Sequence, residues 1–100
     1  MIAEIASHRE ELAELCRRHH VRRLDLFGSA AGDDFDAERS DLDFLVEFEP
    51  EALSLSAYFA LKESLEALFG RNVDLVEPNA IRNPYFKESV ERSRESIFEA

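Results

Sequence analysis

Three aspartates have the residue type and spacing for metal-assisted chemistry. Asp41 and Asp43 open an apolar, alternating stretch, and Asp74 lies in a second short apolar stretch. Side chains two residues apart on a strand point to the same side, and their Cα atoms lie about 6.6 Å apart. We therefore expect Asp41 and Asp43 to hold the same cation or cation pair. Their oxygen-only donor set suits a hard divalent ion, Mg²⁺ above all.

The three acids together predict a two-metal site. We expect Asp41, Asp43 and Asp74 to lie on neighbouring strands, where carboxylates without a cation would repel one another and raise their own pKa values. Two ions held between them suit phosphoryl or nucleotidyl transfer. One ion lowers the pKa of an attacking hydroxyl, and the other neutralises charge on a triphosphate and its leaving pyrophosphate.

A Gly28-Ser29 pair precedes the acids along the chain. Glycine after a buried strand permits a tight turn and close approach of the backbone to a ligand. We predict a short helical turn beginning at Ser29, whose free N–H groups and hydroxyl could bind a phosphate. An ordinary turn is the alternative, so the phosphate interpretation depends on the nearby acids. Residues 32–40 are predicted to form a polar loop anchored by Phe35.

Hydrophobic periodicity and capping residues predict the elements that position these side chains. The expected elements are a helix at 2–20, strands at 21–27, 41–48 and 72–77, a helix from Ser54 or Ser56 to Phe69, and a helix at about 85–99. This order predicts an α/β (α+β) class, with helices flanking a small mixed β-sheet in a single domain over residues 1–100. The buried face of the second strand is expected to consist of Leu42, Phe44, Val46 and Phe48.

Composition and charge exclude several classes of function. The chain has 12 Lys and Arg against 22 Asp and Glu, a net charge of −10 and a pI of about 4.7. This balance argues against direct nucleic-acid binding and against an anionic membrane surface. Neither a signal peptide nor a membrane span is expected. Cys16 is the only cysteine, which fits a reducing cytoplasm.

Several other residues allow both a functional and a structural interpretation. Cys16 could be a reactive thiol but is expected to be a small buried hydrophobe. His19 and His20 could bind a metal but are expected to end the first helix, since no third soft ligand is near. Arg22 and Arg23 could steer a phosphate, although solvated positions at the sheet edge are favoured. In the last helix a solvated face is expected for Glu91, Arg92, Arg94 and Glu95.

Three motifs in this order resemble the DNA polymerase β-like nucleotidyltransferase superfamily, and within it the minimal nucleotidyltransferases (MNT). They are Gly28-Ser29, Ser40-Asp41-Leu42-Asp43-Phe44-Leu45-Val46 and Val73-Asp74-Leu75-Val76, and the resemblance covers nearly the whole chain. It implies a polymerase β-like fold, with Asp41, Asp43 and Asp74 as the catalytic residues. By resemblance, Asp41 and Asp43 hold two Mg²⁺ ions, and Asp74 holds the ion at the attacking hydroxyl. The same resemblance assigns Gly28, Ser29 and Ser40 to binding of the ATP substrate.

The sequence departs from its relatives after the Gly-Ser pair. Relatives usually carry a glycine a few residues later, often followed by a basic or small residue. Gly32 is followed here by Asp33 and Asp34, and Asp36 and Glu38 add further negative charge. This acidic segment could weaken nucleotide binding or point to solvent.

The resemblance also implies a protein partner. MNT proteins are typically the antitoxin half of HEPN/MNT toxin–antitoxin pairs, and AMP transfer from ATP to a toxin tyrosine is the expected neutralising reaction. One hundred residues leave no room for an acceptor-binding domain, so the acceptor is expected to come from the partner. The alternatives are a non-catalytic antitoxin that only occludes the toxin, and an enzyme that modifies small molecules such as aminoglycosides.

The end of the last helix is the predicted contact surface for that partner. Ile97 and Phe98 are adjacent in the sequence, so both are not expected to face one core. An apolar pair left at the surface would supply the desolvated patch that tight association needs. The alternative is that both side chains only cap the domain core.

Overall fold

The structure is a computed structural model that describes residues 3–28, 41–52 and 54–100. Its helices are α1 (Ala3–Ser7), α2 (Arg9–Arg18), α3 (Leu55–Phe69) and α4 (Pro84–Ser93), and its strands are β1 (Val21–Phe27), β2 (Leu42–Phe48), β3 (Val73–Val76) and β4 (Glu95–Glu99). The predicted helical turn from Ser29 and the predicted loop with Phe35 lie outside the described residues. The predicted first helix divides into α1 and α2 at His8.

Within the described residues, four strands form one mixed sheet in the order β3-β2-β1-β4. β1 pairs antiparallel with both β2 and β4, whereas β2 pairs parallel with β3. The predicted class, a small mixed sheet with flanking helices, is confirmed. Because β1 is an interior strand, the prediction that Arg22 and Arg23 lie at a sheet edge is wrong. Arg22 bonds Glu47 on β2, and Arg23 bonds Asp25.

α2 and α3 pack on one face of the sheet. The predicted even-numbered face of β2 is buried there, with its four side chains at most 7% exposed. α3 begins where the Ser54 side chain accepts the N–H of Ala57, and ends at Gly70 in the left-handed region. An N-cap serine and a glycine after the last turn are typical helix boundaries. The prediction of this helix is confirmed at both ends.

α4 lies on the opposite face of the sheet. Its Val90 packs with Phe27 of β1 and Leu45 of β2 in a second, smaller apolar cluster. Leu45 is only 3% exposed, so both faces of β2 contribute to burial. This is also the face of Asp43, since side chains alternate along a strand. The acids therefore lie beside an apolar cluster.

The prediction that one helix spans 85–99 is wrong, because α4 ends at Ser93 and β4 follows. Arg94 adopts extended backbone angles, and β4 then pairs with β1. The pairing shifts register so that Phe98 is opposite Leu24 while Ser96 is opposite Asp25. This bulge leaves Ile97 unpaired, and both Ile97 and Phe98 pack against the main core.

The premise for the predicted partner surface is therefore also wrong. Ile97 and Phe98 do share one core, since the β-bulge relaxes the strict alternation of an ordinary strand. Both side chains pack against the edge of the main core, as the alternative interpretation of this pair had it. No helix in residues 3–28, 41–52 and 54–100 has the length and apolar content needed to cross a membrane.

Candidate active site

Asp43 and Asp74 are register partners on the parallel strands β2 and β3. Asp43 is half-buried and Asp74 is exposed. Burial is the largest cause that raises the pKa of Asp43 to about 6, followed by the hydrogen bond that protonated Asp43 can donate to Asp74 and by the negative charges of Asp74 and Asp41. A shift with these causes marks a place where negative charge is concentrated, and where a bound cation would relieve repulsion.

Asp41 lies at the margin of this pair. It is exposed, directly precedes β2, and acts on Asp43 through its charge. In the part of the chain that the structure describes, no three His, Cys, Asp or Glu side chains converge tightly enough to form a metal cage. The donor chemistry still fits a hard divalent cation. Among the described residues the donors are the carboxylate oxygens of Asp41, Asp43 and Asp74, and a positive ion would offset their mutual repulsion.

Gly28 lies directly against Asp43. Phe27, the last residue of β1, is the register partner of Asp43, so the chain turns beside this carboxylate. Gly28 has φ 74°, and a Cβ atom at this residue would overlap Oδ2 of Asp43. The backbone conformation therefore favours glycine, and any other residue would also have to displace the Asp43 carboxylate. The close approach that the structure shows at Gly28 is to Asp43, and the expected approach to a ligand stays a prediction.

Ser93, the last residue of α4, holds Gly28 in place. Its Oγ accepts the Gly28 N–H at 3.1 Å and donates to the Ser89 carbonyl at 3.2 Å. The Gly28 N–H is thus already bonded within the chain. Sequence reasoning missed Ser93, because its contact spans 65 residues and no local pattern indicates it.

A buried charge cluster joins β1 to the segment that follows α4. Asp25 is 0% exposed and accepts hydrogen bonds from Arg23 Nε at 3.2 Å and Arg94 Nε at 2.7 Å. Burial alone would lower the pKa of Arg94, but its hydrogen bonds and charge interactions with Asp25 and Glu91 raise it. The prediction that Arg94 lies on a solvated face is therefore wrong, although Glu91 and Arg92 are exposed as predicted. The available signal was Asp25 itself, since an acid within a buried strand needs a cationic partner.

The remaining predicted residues divide between structural roles and undescribed positions. Cys16 is 1% exposed, and burial raises the pKa of its thiol to about 12, which confirms the small buried hydrophobe. His19 is the C-cap of α2, and burial, with Arg18 and His20 nearby, lowers its pKa. Ser29 and Ser40, predicted to bind nucleotide, lie outside the described residues, as does the acidic segment 33–38.

The whole arrangement matches a known family. The model of the nucleotidyltransferase domain family matches residues 8–97, a span that includes Gly28, all three aspartates and every described helix and strand except α1, with β4 included in part. The chain belongs to this family. The resemblance seen in the motifs is thereby confirmed, and the chain is an enzyme of the nucleotidyltransferase class.

Relatives and solved structures agree with this assignment. The protein adenylyltransferase MntA of Thermococcus cleftensis is 40% identical over 79 residues, covering 79% of this chain and 75% of that protein. A solved candidate minimal nucleotidyltransferase is 38% identical with a TM-score of 0.74, covering 91% of this chain and 90% of the other. A third match comes from the complex of tri-AMPylated Shewanella oneidensis HEPN toxin with MNT antitoxin. Its TM-score is 0.67 over 96% of this chain and 73% of that chain, but at 18% identity this likeness shows the fold alone.

Proposed function

We propose that this nucleotidyltransferase is a Mg²⁺-dependent protein adenylyltransferase that acts as an antitoxin. It would transfer AMP from ATP to the hydroxyl group of a tyrosine in a partner HEPN RNase toxin. This modification would neutralise the toxin. The observation that carries this proposal is the Asp43–Asp74 pair beneath Gly28, because it concentrates oxygen ligands beside a closely approaching backbone. The relatives support it, since one is named a protein adenylyltransferase and another match comes from a complex with an AMPylated toxin.

The three aspartates are proposed as the metal ligands. Asp41 and Asp43 would hold two Mg²⁺ ions, with Asp74 holding the ion at the acceptor hydroxyl. Bound ions supply charge neutralisation for the triphosphate and a lower pKa for the acceptor. Gly28 keeps the space beside Asp43 open, contributing room rather than its N–H, which Ser93 already occupies. Ser29 and Ser40 are proposed to bind the nucleotide phosphates.

The proposed reaction is a single displacement at phosphorus. The acceptor oxygen bonds to the α-phosphorus of ATP, the bond to pyrophosphate breaks, and the hydroxyl proton passes to solvent. An acidic chain at net −10 would attract a basic acceptor surface and speed encounter at low salt. A cytoplasmic location belongs to the same proposal, supported by a cysteine that is free and buried.

Intact-mass spectrometry of the toxin tests this proposal. The protein encoded by the neighbouring gene, which the proposal takes to be the toxin, is incubated with ATP, Mg²⁺ and either the wild type, Asp43→Asn or Glu47→Gln. Glu47 is the matched control, since it lies on the same strand and face as Asp43 but pairs with Arg22. We expect the toxin to gain AMP with the wild type and with Glu47→Gln. The gain should be at least about a hundredfold slower with Asp43→Asn.

Two other results would overturn the proposal. Tight binding of the toxin with no change in its mass would indicate an antitoxin that acts by occlusion. Transfer of AMP to hydroxylated small molecules, without binding to the toxin, would indicate an enzyme that modifies small molecules instead.

A further inference from the structure

The position of the Asp74 carboxylate depends on β3, a short strand at the edge of the described sheet. β3 has four residues and lies at the end of the strand order, so β2 is its neighbour in the sheet. The Asn72 carbonyl accepts the Leu42 N–H at 3.2 Å, which places the backbone groups of residues 72 and 74 towards β2. By alternation, the backbone groups of Val73 and Leu75 point outward, where an edge strand needs cover.

Two side chains of α3 bond these outward groups, one on each side of Asp74. The Tyr58 hydroxyl donates to the Leu75 carbonyl, and Glu66 Oε2 accepts the Val73 N–H at 3.1 Å. Lys62 also bonds Glu66 Oε2 at 3.1 Å. Residues 58, 62 and 66 are spaced by four, so they form one stripe along the helix that faces the strand edge.

We infer that Tyr58 and Glu66 are positioning residues, which fix the β3 backbone on both sides of Asp74 and hold its carboxylate in register with Asp43. Val73 and Leu75 are already buried against the core, at 1% and 4% exposure. Burial of their side chains restrains β3 perpendicular to the sheet, whereas the two edge bonds restrain it along the strand and within the sheet plane. Those are the directions that set the separation of Asp74 from Asp43.

This inference rests on the proposed function in one respect, because it takes Asp74 as a metal ligand. Groups that orient a ligand from behind typically contribute about 10- to 100-fold to metal affinity or activity. Tyr58→Phe removes only the donor hydroxyl. Glu66→Ala removes the acceptor of the Val73 N–H, whereas Glu66→Gln keeps an acceptor oxygen. The matched controls are Tyr85→Phe, at a residue 81% exposed, and Glu63→Ala on the exposed side of α3.

The first readout is calorimetric titration with Mn²⁺ in the presence of a non-hydrolysable ATP analogue. We expect Tyr58→Phe and Glu66→Ala to weaken Mn²⁺ binding roughly tenfold, while Glu66→Gln recovers most of the loss. The second readout is AMP transfer to the toxin, in which kcat should fall about tenfold with KM for the toxin unchanged. Hydrogen exchange of the β3 amides should accelerate in the same two variants, with circular dichroism unchanged.

Wild-type Mn²⁺ affinity and kcat in Tyr58→Phe and Glu66→Ala would overturn the inference. So would an equal loss in the two controls, or a Glu66→Gln variant as impaired as Glu66→Ala. If Tyr58→Phe unfolds, the Glu66→Ala and Glu66→Gln pair decides. Wild-type protein that binds Mn²⁺ but transfers no AMP would contradict the proposed function, while the Mn²⁺ titrations would still decide the positioning role.

Discussion

Asp43 lies in an environment that disfavours its ionised form. It lies between Phe27 on β1 and Asp74 on β3, with Gly28 directly against its carboxylate. Lost solvation and neighbouring acids disfavour its ionised form, which is why its pKa rises to about 6. Functional residues in such unfavourable environments often lower the stability of the fold, and this loss of stability can be measured.

Replacing Asp43 should stabilise the metal-free protein at neutral pH. Because the folded-state pKa is raised, the folded state loses stability as pH rises from about 4 to about 6, and the loss is complete above that range. Asp43→Asn lacks this loss and should melt a few degrees higher at pH 7.5, with the difference disappearing near pH 4. Calorimetric melts in EDTA, with Glu47→Gln as the control, measure it. A variant that melts several degrees lower at pH 7.5 would show that Asp43 is a stabilising residue.

Gly28→Ala should lose more stability than Gly70→Ala. Both glycines have positive φ, 74° and 64°, so either alanine carries about 1 kcal/mol of backbone strain. At residue 28 the added Cβ would also overlap the Asp43 side chain. At residue 70 the added Cβ would have no neighbour within 4 Å. Urea unfolding of both variants gives the difference, and Mn²⁺ titration should show weaker binding only for Gly28→Ala. Equal losses of stability would contradict the close approach of Gly28 to Asp43.

Elements fixed by local signals could be predicted from the sequence, and those fixed by distant pairing could not. Alternation indicated β2, and a serine cap with a terminal glycine indicated α3. Alternation placed Asp43 on the same side as Asp41, whereas the expectation that Asp74 lies on a neighbouring strand came from the shared chemistry of the three acids. β4 was mistaken for helix because its conformation depends on pairing with β1, which local periodicity does not contain. Ser93 and Glu66 were missed for the same reason, since each acts on the backbone of another element.

The junction of α4 and β4 should depend on the buried charge pair beneath it. Arg94→Met leaves the buried Asp25 with Arg23 as its remaining cationic partner and should lower the free energy of unfolding by about 2 kcal/mol. This is less than for a fully buried pair, because 19% of the Arg94 side chain is exposed. Arg92→Met is the control, since Arg92 is 74% exposed and 3.9 Å from Glu88. Denaturant unfolding that gives equal stabilities for the two variants would contradict a structural role for Asp25 and Arg94.

Across the whole molecule, the sheet separates a large apolar core from the face that carries the acids. α2 and α3 cover one face, whereas α4 covers only part of the other and leaves Asp74 exposed. The net charge of −10 repels a free triphosphate, so nucleotide binding at this face requires compensating cations. Metal and nucleotide should therefore bind cooperatively.

Mn²⁺ should bind the wild type more tightly with a non-hydrolysable ATP analogue present than without it. Linkage requires the analogue to bind more tightly with Mn²⁺ by the same factor. Asp43→Asn should lose this coupling, and Glu47→Gln should retain it. Calorimetry with each ligand in both orders measures the factor. Equal metal affinity in wild type and Asp43→Asn would remove Asp43 from the metal site.

The most direct test of adenylyl transfer by this site measures which phosphate of ATP becomes attached to the toxin. The toxin is incubated with Mg²⁺ and with ATP labelled at either the α- or the γ-phosphate, using wild type, Asp43→Asn and Glu47→Gln. Adenylyl transfer predicts that α-label enters the toxin with the wild type and Glu47→Gln, that γ-label leaves as pyrophosphate, and that Asp43→Asn transfers neither. Entry of γ-label would mean phosphoryl transfer, and α-label transferred by Asp43→Asn at the wild-type rate would contradict the assignment of the site.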